Sequence, residues 1–232
     1  MRATRSVATV LAIFFCASSA QAFDCLEKAA NRIKSGDDAA AIEVVKRGAR
    51  QGDERCKFIL GMWSLTGAKA EQNPREGLRW LREAANDGLP IAQSSLGLLY
   101  ASGLIVDRNE QKAARLYRKA AEYGDPLGQT ALALASFRGV GVEEDRVDAY
   151  RWISLAAAQG DERANTYLPT IEGSLTTGEL ELAKADVAQF QPRERTGERR
   201  PSKKKLLRLV GLNRPPGEIE RFFGFGGGGG FP

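Results

Sequence analysis

Laid against itself at an offset of 36 residues, the chain repeatedly meets its own small residues. Leu60-Gly61, Leu96-Gly97 and Leu132-Ala133 fall in register, as do Gly67, Gly103 and Gly139. Asn73, Asn109 and Asp145 follow, then the pairs Ala84-Ala85, Ala120-Ala121 and Ala156-Ala157, then Gly88, Gly124 and Gly160. A degenerate earlier unit keeps Asp37, Gly48-Ala49 and Gly52 at the same offset. A unit this short cannot bury an apolar stripe alone, so its copies must stack and share one continuous core.

Each unit reads as two helices. In the stretch from Pro90 to Ser102, Ala92, Leu96, Gly97 and Tyr100 recur at helical spacing, and Gly103 stops the helix. Asn73, Asn109 or Asp145 then caps a second helix, with Pro74 at a first-turn position where its missing N–H costs nothing. The second helix ends at the Gly of Ala-Ala-x-x-Gly. Gly61, Gly97, Ala133 and the Ala pairs allow close helix approach, while Trp80, Leu116 and Trp152 fill the space between hairpins. The expected fold is all-α: a right-handed α-solenoid of antiparallel helix hairpins with a 36-residue repeat.

The run Ala92-x-x-x-Leu96-Gly97-x-x-Tyr100-x-x-Gly103, followed by Lys112-Ala113, Ala120-Ala121 and Gly124, resembles the Sel-one-like repeat, a longer relative of the tetratricopeptide repeat. Gly139-Val140-Gly141-Val142-x-x-Asp145 is similar to that family's loop. The resemblance covers about residues 24–190. Ser64 and Ser136 depart from it where Tyr100 supplies an aromatic, and Leu104-Ile105-Val106 lacks the second loop glycine. It implies the helical fold and a role in assembling envelope complexes or restraining sensor proteins. Some disulfide-rich relatives are linked to penicillin binding.

Arg2 and Arg5, the apolar run Val7 to Cys16, and Ala20-Gln21-Ala22 make a secretory signal over residues 1–22, with cleavage between Ala22 and Phe23. An uncleaved anchor is the alternative. Export places the mature chain in the periplasm or outside the cell and leaves two of the three cysteines, Cys25 and Cys56. They lie near the starts of consecutive first helices, which run side by side in such an array, so a disulfide is expected; two buried thiols are the alternative. Absence of His removes the usual general base and the commonest metal ligand, and no cofactor or metal is expected.

The solenoid is expected over 23–190, closed by a cap in which Asp161 opens a helix, Pro169 bends or stops it, and Thr176 with Glu179 begins a last one. Residues 191–232 hold 5 of 9 prolines and 9 of 25 glycines, which predicts a disordered tail. The tail carries a net +6 and the leader +2 of the chain's +5, so the solenoid is mildly acidic. Lys203, Lys204, Lys205 and Arg208 border the apolar run ending at Leu212, a pattern suited to an anionic membrane surface or acidic polymer. Nucleic acid is not an expected partner.

Ser202-x-x-Lys205 has the spacing of serine β-lactamases but no accompanying Lys-Thr-Gly, and Glu143, Glu144 and Asp145 read as loop and cap charges, so no enzyme is expected. The first functional reading is a scaffold or adaptor that grips another envelope protein on its concave face. Lys57, Gln93 and Gln129 at one register, Trp63 and Leu99 at another, and Arg138 are its candidate contacts, with packing against the next hairpin as the alternative for Trp63. The second reading is envelope binding through the basic tail.

Overall fold

The computed structural model describes residues 25–194, and among these every regular element is a helix. Residues 25–34 form α1. There follow α2 (Asp38–Arg50), α3 (Glu54–Thr66), α4 (Pro74–Asn86), α5 (Pro90–Ser102), α6 (Glu110–Glu122), α7 (Pro126–Arg138), α8 (Arg146–Ala158), α9 (Glu162–Glu172) and α10 (Thr177–Gln189). In the repeats, odd-numbered helices are the first members of hairpins and even-numbered ones the second, while the last helix, α10, packs on α8. The described residues divide into two compact units, one ending at Trp80 and one beginning at Leu81, so the division falls inside α4.

One turn chemistry joins successive hairpins. After α2, Gly52 takes positive φ, its N–H donates to Ala49 O, and Asp53 N–H reaches back to Gly48 O. The same pair of bonds closes α6 at Gly124 and Asp125, and α8 at Gly160 and Asp161. This is the Schellman arrangement, which needs a residue without a Cβ penalty at the left-handed position. The residue that completes it also caps the next helix. Asp125 accepts from Gly128 N and Asp161 accepts from Ala164 N. Leu89 stands at this register before α5 and makes no such cap bond. The caps expected at Asn73, Asn109 and Asp145 accept from Glu76, Lys112 and Asp148 N.

In the first unit α2 packs on α3, over a core that includes Leu26, Val45, Phe58 and Ile59. Cys25 and Cys56 form a disulfide there. A Cβ on Gly48 would lie 2.6 Å from Cys56 Sγ and closer still to Cys25 Sγ, so the bond occupies space that only glycine leaves open. Farther along, Gly77 brings the start of α4 against α3; a Cβ there would stand 2.8 Å from Gly61 O.

In the second unit α7 contacts α5, α6, α8 and α9, and Leu127 through Ser136 are buried around its whole circumference. A helix enclosed on every side needs no polar stripe, which is why α7 shows little amphipathicity while α6 shows a clear apolar face of Ala113, Ala114, Tyr117, Ala120 and Ala121. Gly141, at φ +71°, holds the loop before α8 against the first turn of α6, where a side chain would run into the Glu110 carbonyl. Two expectations about the end of the array divide. Thr176 and Glu179 form the capping box of α10, but Pro169 lies inside α9 rather than ending it. The helix tolerates it because Pro169 is exposed and only three residues follow before the helix stops.

Candidate functional site

The residues expected to face a partner are mostly interior. Trp63, Leu99 and Gln129 are sealed from solvent, and Gln93 is 5% exposed. Lys57 is half-buried and Arg138 exposed. The correction has a physical cause: first helices such as α7 are enclosed by four neighbours, so positions outside the small-residue stripe are packed as well. The two glutamines bind inward instead. Gln93 Nε2 donates to Ala85 O at 3.2 Å and Gln129 Nε2 to Ala121 O at 3.3 Å, each holding the end of the preceding helix. Gln159 Nε2 then donates to Gln129 Oε1 at 2.8 Å, while Gln93 Oε1, with Tyr123 at the corresponding register, is buried with no partner.

The cleavage site at Ala22 and Phe23, and Ser202, Lys203, Lys204, Lys205 and Arg208, lie outside the described residues. Glu143 and Glu144 are exposed, Glu144 pairing with Arg146 at 3.0 Å, and Asp145 caps α8. Tyr117 is a buried group against Gly97; loss of solvent pushes its ionisation up despite the nearby charge of Arg163, so it stays neutral. Among the described residues no group of three or more Cys, Asp or Glu is placed to hold a metal ion, and no helix is long and apolar enough to cross a membrane.

A more structured surface lies where the chain leaves α10. Residues 191–194, which composition assigns to the tail, run back over the second unit. Phe190 stands edge-on to Trp152 of α8, with ring centroids 5.4 Å apart. The Arg151 guanidinium lies 4.7 Å from the Trp152 ring centre and 5.6 Å from that of Phe190. Pro192 covers the Gly124 turn. Arg193 N–H donates to Glu122 O at 2.8 Å, and its guanidinium meets the Glu122 carboxylate at 2.7 Å. The strap thus steps from the α8 hairpin back to the end of α6.

Trp152 has a register mate in Trp80, and the two differ in one respect. Trp80 Nε1 donates to Glu76 at 3.2 Å, with Arg79 stacked 4.1 Å from its ring centre. The position matching Glu76 is Asp148, one methylene shorter. Its carboxylate takes Ser136 Oγ at 3.2 Å and Arg118 at 3.3 Å instead. Trp152 Nε1 and Arg151 Nε are left buried without hydrogen-bond partners. Sequence reasoning missed this site, although the repeated dipeptides Arg79-Trp80 and Arg151-Trp152 were visible.

The Sel1 repeat family profile matches residues 18–32, 55–89, 90–125 and 126–161, more than half of the chain. The crystal structure of a Sel1 repeat protein from Oxalobacter formigenes is similar at a TM-score of 0.52 and 42% identity, covering 54% of this chain and 95% of that one. The protective antigen c5321 of uropathogenic Escherichia coli strains, which displays an SLR fold, is similar at a TM-score of 0.50 and 25% identity. That match covers 65% of this chain and 40% of the antigen, so the chain spans less than half of the antigen's length. No curated protein sequence matches. Sel1 repeat proteins are generally non-catalytic scaffolds for protein–protein interaction. By its repeats and its fold, the chain belongs to the Sel1 repeat family.

Proposed function

We propose that the chain is an exported, non-enzymatic adaptor that holds another protein of the cell envelope on the surface of its helix hairpins. The observation that carries this reading is the stack of 36-residue hairpins, the architecture of a family of interaction scaffolds. Packing supports it further. The first helices spend their side chains on the core, so second helices, loops and inter-hairpin turns supply the contact surface. On α6 that surface includes Arg115 and Lys119, both exposed.

The signal-like residues 1–22 support export, and the pairing of Cys25 with Cys56 suits an oxidising compartment. Crosslinking of the full chain in its native host, followed by purification, tests the adaptor reading. The expected result is one crosslinked protein that persists when residues 195–232 are removed and is lost when Arg115 and Lys119 are both changed to Glu. Loss on tail removal alone would overturn the reading in favour of the tail. Export is checked by N-terminal sequencing of the purified chain, with Phe23 expected as the first residue.

A further inference from the structure

The strap has the features of a ligand lying in a site. It leaves its helix at Phe190, puts an aromatic ring against buried Trp152 and half-buried Arg151, covers a turn with Pro192 and ends in a charge pair between Arg193 and Glu122. Three residues of extended chain reach about 10 Å, the distance of one helix packing step, which lets these contacts fall on consecutive hairpins. Yet the fit is incomplete. Trp152 is 2% exposed and its Nε1 finds no acceptor, and neither does the buried Arg151 Nε. At Trp80 the same register satisfies its indole with Glu76, so an unsatisfied indole is a particular property of this seat and not of the repeat.

We propose that Trp152, Arg151, the Gly124 turn and Glu122 form a seat for an extended peptide segment of the partner protein, and that Phe190 to Arg193 is the chain's own occupant of it. The partner segment carries an aromatic residue, an Arg or Lys three positions later, and an acceptor (a side-chain carboxylate or amide) for the two donors that the strap leaves unanswered. Charge selects the basic residue: Glu122 is the acid that receives Arg193. The strap competes from within the same molecule at a high effective concentration, so the site takes an outside segment only when that segment binds better or the strap is loosened. This inference rests on the adaptor reading and names the site and the chemistry of its partner.

The probe is a fluorescein-labelled, end-blocked peptide copying residues 187–194, titrated into the full chain by fluorescence anisotropy. Changing Phe190→Ala and Arg193→Glu together is expected to tighten peptide binding by roughly 10-fold or more over the unaltered chain, because the internal competitor is gone. Adding Glu122→Arg should abolish that gain, and a peptide with Glu in place of its Arg should restore it. Should Phe190→Ala unfold the chain, judged by circular dichroism, Arg193→Glu alone serves, since it breaks the pair with Glu122 at an exposed Arg side chain. Equal binding to the altered and unaltered chains, or a gain indifferent to Glu122→Arg, overturns the site. Failure of the peptide to bind either form overturns it too, while a crosslinked partner that still depends on α6 would leave the adaptor reading standing.

Discussion

At the register that Ala84, Ala120 and Ala156 occupy in later hairpins, α2 carries Gly48, and opposite it Cys56 replaces the small residues Ala92, Gly128 and Ala164. The pairing is reciprocal: Gly128, the one glycine on the facing side, meets the Cβ of Ala120, whereas Cys56 meets Gly48. Volume lost on one helix is regained on the other, and the disulfide fills it. Gly48→Ala should therefore lower the melting temperature of the oxidised chain and leave two thiols open to labelling without reductant. In a chain carrying Cys25→Ala and Cys56→Ala the same change should cost far less, since both sulfur clashes are gone and only the 3.1 Å approach to the Cβ at position 56 remains. The double cysteine change itself should cost about 3–4 kcal/mol for a loop of this separation. A second residue-level case is Gln159, which is exposed at the surface. Gln159→Ala should nevertheless cost about 1–3 kcal/mol in chemical denaturation, because it strands the buried Gln129 Oε1.

Helix boundaries were legible because each is marked by a residue with a local job: Pro90 at a first helical position, Asn109 accepting from Lys112 N, Gly103 at positive φ. Of the two outcomes expected at Pro169, stopping the helix does not occur, because its place near the end of α9 limits the damage its ring does. Replacing it with Ala should raise the stability of the second unit by up to about 3 kcal/mol, seen as a higher denaturation midpoint. The α10 capping box makes a pH prediction. Two hydrogen bonds, from the Thr176 hydroxyl and the Thr176 N–H, hold the Glu179 carboxyl below the usual carboxylate range. A depressed folded pKa gives stability that is present above the unfolded value of about 4.3 and is lost as pH falls through the folded one. NMR titration should find the Glu179 carboxyl titrating below the usual carboxylate range, and Thr176→Val should move it part of the way back, since the hydroxyl bond is lost and the N–H bond stays. An unchanged midpoint in that variant would sink the assignment.

Across the molecule, the repeat announced how the helices would succeed one another but not which would be enclosed. Leu99 and Gln129 looked like surface candidates because a hairpin considered alone leaves one side of its first helix bare; only the neighbours of α7 show that side to be interior. The seat at Trp152 was hidden for a different reason: Phe190 and Arg193 lie beyond the last repeat, where periodicity carries no information. Enclosure has a measurable counterpart. Hydrogen exchange in the second unit should be slowest in α7 and fastest in α10, whose only buried residue is Ala183. The turns carry a further consequence, since Asp125 and Asp161 each finish one helix and begin the next, with no residue to spare between the two tasks. A chain spliced from Asp125 directly to Glu162 would inherit an intact junction, whereas a cut one residue shorter or longer would break it. At these junctions the array can therefore be shortened or extended only by whole periods.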